Sequence, residues 1–164
     1  MIQVQHLDLV KQIFDYCDKY NLKICTAESC TGGLLASYFT YLPGSSEYFD
    51  KGIVSYSNEA KMDLLNIPKE ILENYGAVSS EVATLMAKNI SLNKNKYISI
   101  STTGLLGPKD DGTGKPVGLI YIAVNIRNEL LKVKELKLQG DRHMMQEQVI
   151  VQALELAINS LKLC

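Results

Sequence analysis

Four short segments carry residue types that can act on a carbonyl or hold an anion. The first is Glu28-Ser29-Cys30-Thr31-Gly32-Gly33. A hydroxyl nucleophile followed by two glycines can attack a carbonyl carbon while nearby backbone N–H groups hold the developing oxyanion. The same residues also suit a structural duty, with Ser29 or Thr31 capping a helix and Gly32-Gly33 allowing close packing. Cys30 competes with Ser29, because a helix N-terminus lowers a thiol pKa; its other role is that of a small buried hydrophobe. The second segment is Tyr56-Ser57-Asn58-Glu59-Ala60-Lys61. A desolvated Lys61 with a lowered pKa can deprotonate a serine, and Tyr56 can relay the proton. A solvated lysine and a half-buried tyrosine are the plainer alternative.

The third segment runs from Thr102, Thr103 and Gly104 to Gly107 and Pro108, where hydroxyls and glycine N–H groups can cradle a phosphate. It lacks the GxxxxGK[ST] spacing of a P-loop. The fourth is Gly140-Asp141-Arg142, with Asp141 as a helix cap and Arg142 free to grip a phosphate or pair with a surface carboxylate. His143 stands alone beside it, which fits a surface or packed histidine.

The elements around these segments follow from periodicity. Val10, Ile13, Phe14 and Cys17 mark one face of a helix over residues 7–20, and Lys23–Ala27 forms a short strand. A helix follows the Ser29 turn through Leu42, stopped by Pro43-Gly44. Residues 49–57 are strand-like, Asn58 can cap the helix carrying Lys61, and Pro68 can open another as its first residue. Ser79-Ser80-Glu81 begins a helix through Ile90, residues 97–103 form a strand, and 104–116 form the longest loop. Strands over 117–126 and 130–138 are joined by a turn, and apolar spacing from Ile150 to Leu161 marks a final helix. Strands such as 98–101 and 119–124 look apolar on both faces. The expected fold is therefore α/β, a three-layer α/β/α sandwich around a mostly parallel, mixed sheet, with residues 1–164 as one domain.

A net charge of -1 argues against a nucleic-acid backbone or an anionic membrane as the main partner. Cys17, Cys25, Cys30 and Cys164 form no CxxC pair, and only His6 and His143 could join them, so neither a metal site nor a disulfide framework is expected. The N-terminus lacks the apolar core of a signal peptide, and no run approaches membrane-spanning length. A cytoplasmic location is expected.

Six segments together resemble the CinA C-terminal domain family, also known as nicotinamide-nucleotide amidases: TAESCTGG (26–33), PGSSEYFDKGIVSYSNEAK (43–61), GAVSSEVATLMA (76–87), TGLLGP (103–108), KPVG (115–118) and GDR (140–142). They occur in family order and spacing from about Lys23 onward. The resemblance implies an α/β/α sandwich, no cofactor, a homo-oligomer, and hydrolysis of the carboxamide of nicotinamide mononucleotide to nicotinate mononucleotide and ammonia. It places the nucleophile on Ser29 and its lysine partner on Lys61, with Tyr56 close by. Cys30, Thr31, Gly32 and Gly33 would then surround the reacting carbonyl beside Glu28, and backbone N–H groups near 30–33 would hold the oxyanion. The phosphoribosyl group would lie towards Thr102, Thr103, Gly104 and Gly107, with Arg142 near the phosphate. An N-terminal domain similar to molybdopterin-binding proteins, carried by many relatives, would have no room before residue 7.

Two departures keep alternatives open. The family loop usually runs TGIAGPGGG, whereas this chain has Leu105-Leu106 and Lys109-Asp110-Asp111, and the position one turn after GDR, usually Arg, is Gln146. A Ser/Lys amidohydrolase with a different small amide substrate is one alternative. A non-catalytic nucleotide-binding or competence-associated protein is the other.

Overall fold

The computed structural model describes residues 2–92 and 94–164. Helix α1 (Leu7–Tyr20) ends on Asn21, whose left-handed backbone turns the chain into β1 (Lys23–Glu28). Then come α2 (Leu34–Thr40), β2 (Phe49–Val54), α3 (Asn58–Leu65), α4 (Lys69–Tyr75), α5 (Ser80–Ile90), β3 (Tyr97–Gly104), β4 (Leu119–Ile126), β5 (Leu130–Lys137) and α6 (Arg142–Leu161). The strands form one mixed sheet in the order β2-β1-β3-β4-β5. β2, β1 and β3 run parallel, while β4 and β5 join antiparallel to them. The β4–β5 hairpin closes through Arg127 and Asn128, both left-handed, a turn whose twist matches that of the paired strands.

Strand alternation distributes the helices into two layers. Ile24, Ile98, Ile100, Ile120, Ile122 and Val124 pack against α1, α2 and α6, and this is the larger core. On the other face Cys25 and Ala27 meet Leu65, Leu72, Val82 and Met86 of α3, α4 and α5. This is an α/β/α sandwich with a mixed sheet. β3 is buried on both faces but apolar on only one. Ser99 and Ser101 donate at 2.6 Å to the carbonyls of Ala87 and Ala83, and these small residues let α5 lie close to the sheet. No helix among the described residues is long and apolar enough to cross a membrane.

Several element ends differ from the sequence expectation. β2 stops at Val54 instead of 57, because Ser57 is needed as the cap of α3: its Oγ accepts from Ala60 N at 3.0 Å. Asn58 is thus the first helical residue and not the cap. Pro68 precedes α4 in extended backbone rather than opening it. α2 ends at Thr40 and β4 begins at Leu119. Asp141 caps α6 as expected, accepting from Met144 N at 2.9 Å.

Candidate active site

The parallel strands β1 and β2 end side by side. Their register pairs Glu28 with Val54, and Ser55 N still donates to Glu28 O at 2.8 Å. Ser29 therefore leaves the sheet beside Ser55, at the carboxyl end of the strands where such sheets present their ligands. The cap at Ser57 then starts α3 so that its first turn brings Lys61 back over the strand ends. Lys61 is 1% exposed, and its Nζ lies 3.1 Å from Ser29 Oγ and 2.8 Å from Ser55 O. It forms no ion pair with a carboxylate among the described residues. Burial pulls its pKa from 10.5 down to about 8, against a smaller opposing pull from the Cys30 sulfur.

Glu28 points the other way, beneath the turn. Its carboxylate accepts from Thr26 Oγ1 (3.3 Å), Thr31 Oγ1 (2.7 Å) and the N–H groups of Gly33, Leu35 and Ala36 (3.0, 3.0 and 2.8 Å). A built-in anion thus occupies the start of α2, where the helix leaves its N–H groups free. Gly33, at φ 97°, takes a left-handed conformation that lets the chain enter α2 above this carboxylate. Thr31 Oγ1 also lies 2.7 Å from Thr102 Oγ1.

Ser29, Cys30, Tyr56 and Lys61 line a cavity of about 290 Å³, together with Ala77, Val78, Thr103, Gly104 and residues 105–107. Lys109, Asp111 and Arg142 complete its rim. Arg142 spans the mouth, donating to Gly107 O at 2.9 Å and to Tyr56 Oη at 2.8 Å. Lys115 Nζ ties the base of the 105–116 loop to the carbonyls of Tyr75 and Val78, which holds the cavity wall against the end of α4.

Several expected contacts are absent from this cavity. Glu28, Thr31, Gly32, Gly33 and Thr102 do not line it. Gly32 N donates to Ser29 O at 3.1 Å and Gly33 N to Glu28, so neither is free to hold an oxyanion. The amides of Cys30 and Thr31 donate to no oxygen of the described residues. The hydroxyl of Thr102 is engaged with Thr31, and that of Thr103 donates to Ala77 O at 2.8 Å, so the threonine cradle for a phosphate is not formed. Gly104 is glycine because of β4: a Cβ there would lie 2.2 Å from Ile120 Cδ1 and 2.9 Å from Leu119 O. Tyr56 is 62% exposed and bonds Arg142, with no hydrogen bond to Ser29 or Lys61, so no proton relay through it is in place. Cys30 is buried and its thiol is pushed up to about 12 by that burial, which leaves it protonated and a poor nucleophile.

The sequence pattern of the CinA C-terminal domain matches residues 6–161. The chain belongs to the CinA C-terminal domain family. A CinA-like protein of Dictyoglomus thermophilum is 43% identical over 147 residues, 90% of this chain and 36% of the relative. This CinA domain spans about a third of the length of the curated relatives it matches. Solved structures agree over nearly their whole length. The competence/damage inducible protein of Agrobacterium tumefaciens superposes with a TM-score of 0.89 at 33% identity, covering 97% of this chain and 98% of that one. A competence or damage-inducible protein of Enterobacter asburiae gives 0.90 at 32% identity, covering 94% and 97%.

Within this CinA domain, reasoning from sequence missed Ser55, whose backbone carbonyl holds Lys61, and Ser57, whose cap aims it. Ser57 carried a usable signal, since it stands three residues before Ala60 at cap spacing. Ser55 acts through a main-chain carbonyl and carried none. Gln146 does not line the Ser29 cavity; with Thr31, Gly32 and Gly33 it lines a larger one of about 930 Å³.

Proposed function

We propose that this chain is a serine amidohydrolase acting on a small carboxamide, with nicotinamide mononucleotide as the substrate. The observation that carries the reading is the buried, unpaired Lys61 ammonium 3.1 Å from Ser29 Oγ, with its pKa lowered to about 8. A lysine so placed is neutral often enough near neutral pH to accept a serine proton. Ser29 Oγ attacks the amide carbon while its proton passes to Lys61 Nζ. Cys30 lines the cavity beside Ser29, and its amide, which donates to no oxygen of the described residues, is the backbone donor available to the oxyanion. Collapse expels ammonia with the proton returned from Lys61. Water then enters, loses a proton to Lys61 and releases the carboxylate product, regenerating Ser29.

Arg142 keeps guanidinium donors beyond those given to Gly107 and Tyr56, and with Lys109 it supports an anionic group at the cavity mouth. Asp111 on the same rim favours a second reading, in which the amide substrate carries no phosphate.

Ammonia release from nicotinamide mononucleotide by purified protein, beside Ser29→Ala, tests the proposal. Release that falls at least a thousandfold in the folded variant supports it. Release equal in both proteins overturns it. Turnover of nicotinamide as fast as that of the nucleotide selects the second reading.

A further inference from the structure

The Ser29 cavity is rich in donors and poor in acceptors. Ser29, Lys61, Lys109 and Arg142 bring hydroxyl, ammonium and guanidinium groups to it, while Asp111 is the one carboxylate among the described residues that line it. The oxygens of Tyr56 and Gly107 already accept from Arg142, and Ser29 Oγ accepts from Lys61. Asp111 is fixed where it stands. Its Oδ1 accepts from the backbone N–H of Thr113 at 3.0 Å and from the Thr113 hydroxyl. Thr113 Oγ1 accepts in turn from Lys115 N at 3.4 Å, and Lys115 Nζ is anchored on the carbonyls of Tyr75 and Val78, the second of these a wall of the cavity. The bond from the Thr113 hydroxyl holds the Asp111 carboxyl below the usual carboxylate range, so it is ionised at neutral pH. Asp111 Oδ2 accepts from no donor among the described residues, and neither Lys109 nor Arg142 forms an ion pair with it.

We propose that Asp111 is a specificity-determining residue that accepts the vicinal hydroxyls of a ribose, which makes the substrate class a ribosylated carboxamide. The inference rests on the amidohydrolase reading above. In a nicotinamide nucleotide the amide, the ring, the ribose and the phosphate follow one another. With the amide on Ser29 and an anionic group on Arg142 and Lys109, the sugar falls between them, within the part of the cavity that the rim encloses. Its 2′- and 3′-hydroxyls are donors, and the two lone pairs of a carboxylate oxygen suit them. Dinucleotide-binding folds hold ribose hydroxyls on an acidic side chain in the same way. A carboxylate beside two cations at the mouth then has an occupant of its own and does not compete with them for the phosphate. The subsite serves a nucleoside as well as a nucleotide, so it holds whether or not the substrate carries a phosphate.

Calorimetric titration of the Ser29→Ala protein, which removes turnover, with nicotinamide mononucleotide and with its 2′,3′-dideoxy analogue tests this. The nucleotide is expected to bind about tenfold more tightly than the analogue, the scale of a hydrogen bond to a charged group at an open rim. Adding Asp111→Ala is expected to weaken the nucleotide and leave the analogue unchanged, bringing the two within about twofold. Adding Asp110→Ala instead removes the neighbouring carboxylate, which does not line the cavity, and should keep the preference. A loop merely disturbed by Asp111→Ala would weaken both ligands alike. That outcome overturns the proposal, as does a parent protein with no preference or a loss that Asp110→Ala shares. The amidohydrolase reading fails separately: a protein with Ser29 intact that releases no ammonia, while the binding preference still depends on Asp111, loses the hydrolysis and retains the ribose subsite. Binding of neither ligand overturns the subsite together with nicotinamide mononucleotide as the substrate.

Discussion

The two sides of the Ser29 turn treat buried charge in opposite ways. Beneath the turn, Glu28 is 1% exposed and its carboxylate takes five hydrogen bonds, three of them from backbone N–H groups. Above it, Lys61 is equally buried, yet its ammonium meets two neutral oxygens and no carboxylate. A buried charge that is fully paired by donors serves to fix structure. One left short of partners stays close to losing its charge, which suits a group that must exchange a proton. The turn is clamped on one side so that the other can be left unsatisfied.

Replacing Lys61 by Met breaks the contrast most severely. The catalytic rate is expected to fall by about 10²–10⁴, the usual contribution of a general base. Stability should move the other way. The folded pKa of about 8 lies below the ordinary 10.5, so the native state carries a penalty for protonated Lys61. It is full below pH 8, fades as pH rises towards 10.5, and amounts to on the order of 3 kcal/mol at neutrality. Urea unfolding at pH 7 should therefore show Lys61→Met more stable by about 1–3 kcal/mol, with the gap closing near pH 10. A less stable variant at pH 7 would mean that Lys61 is a structural ion, and the contrast with Glu28 would collapse.

Glu28→Gln tests the clamped side. It keeps the shape, removes the charge from the start of α2 and turns an NH₂ group towards backbone donors. A loss of about 2–4 kcal/mol is expected, measured by the same unfolding experiment. A variant as stable as the parent would show that the carboxylate is dispensable and that packing alone holds the turn.

At the cavity mouth, Arg142→Ala should discriminate between substrates. The loss of charge-assisted bonds to a phosphate, about 1.5–3 kcal/mol, should raise KM for nicotinamide mononucleotide roughly ten- to a hundredfold. Nicotinamide riboside, which lacks the phosphate, should be affected far less. An equal effect on both would assign Arg142 to holding Tyr56 and Gly107 in place.

Much of this was legible in the residues themselves. The alternation of strands and helices, the helix start at Ser79-Ser80-Glu81 and the cap at Asp141 are local signals, and the structure keeps them. The six family segments carried the candidate pair, Ser29 and Lys61, which the fold brings within 3.1 Å. What could not be read was direction. A glycine pair and neighbouring threonines suggest a ligand cradle, but Glu28 and Ala77 O claim those donors first, and only the packed turn shows it. Ser99 and Ser101 were hidden for a related reason: a serine inside a strand gives no sign that a helix carbonyl waits opposite. Gln146 was noticed as a lost arginine, while its contact with Cys30 O depends on a separation of 116 residues.

The pH profile sharpens the comparison with the smallest change, since it alters no side chain. If Lys61 is the base, kcat/KM should rise about tenfold per pH unit below 8 and level off above it, a gain of roughly tenfold between pH 7 and 9. The direction follows from the form that works: neutral Lys61 accepts the proton, and its population grows through a pKa of about 8. Cys30 does not enter this window, because burial pushes its thiol up to about 12. A profile that instead falls across pH 8 would mean that the ammonium form is required. Lys61 would then stabilise charge near Ser29, and the proton would have to leave by another group.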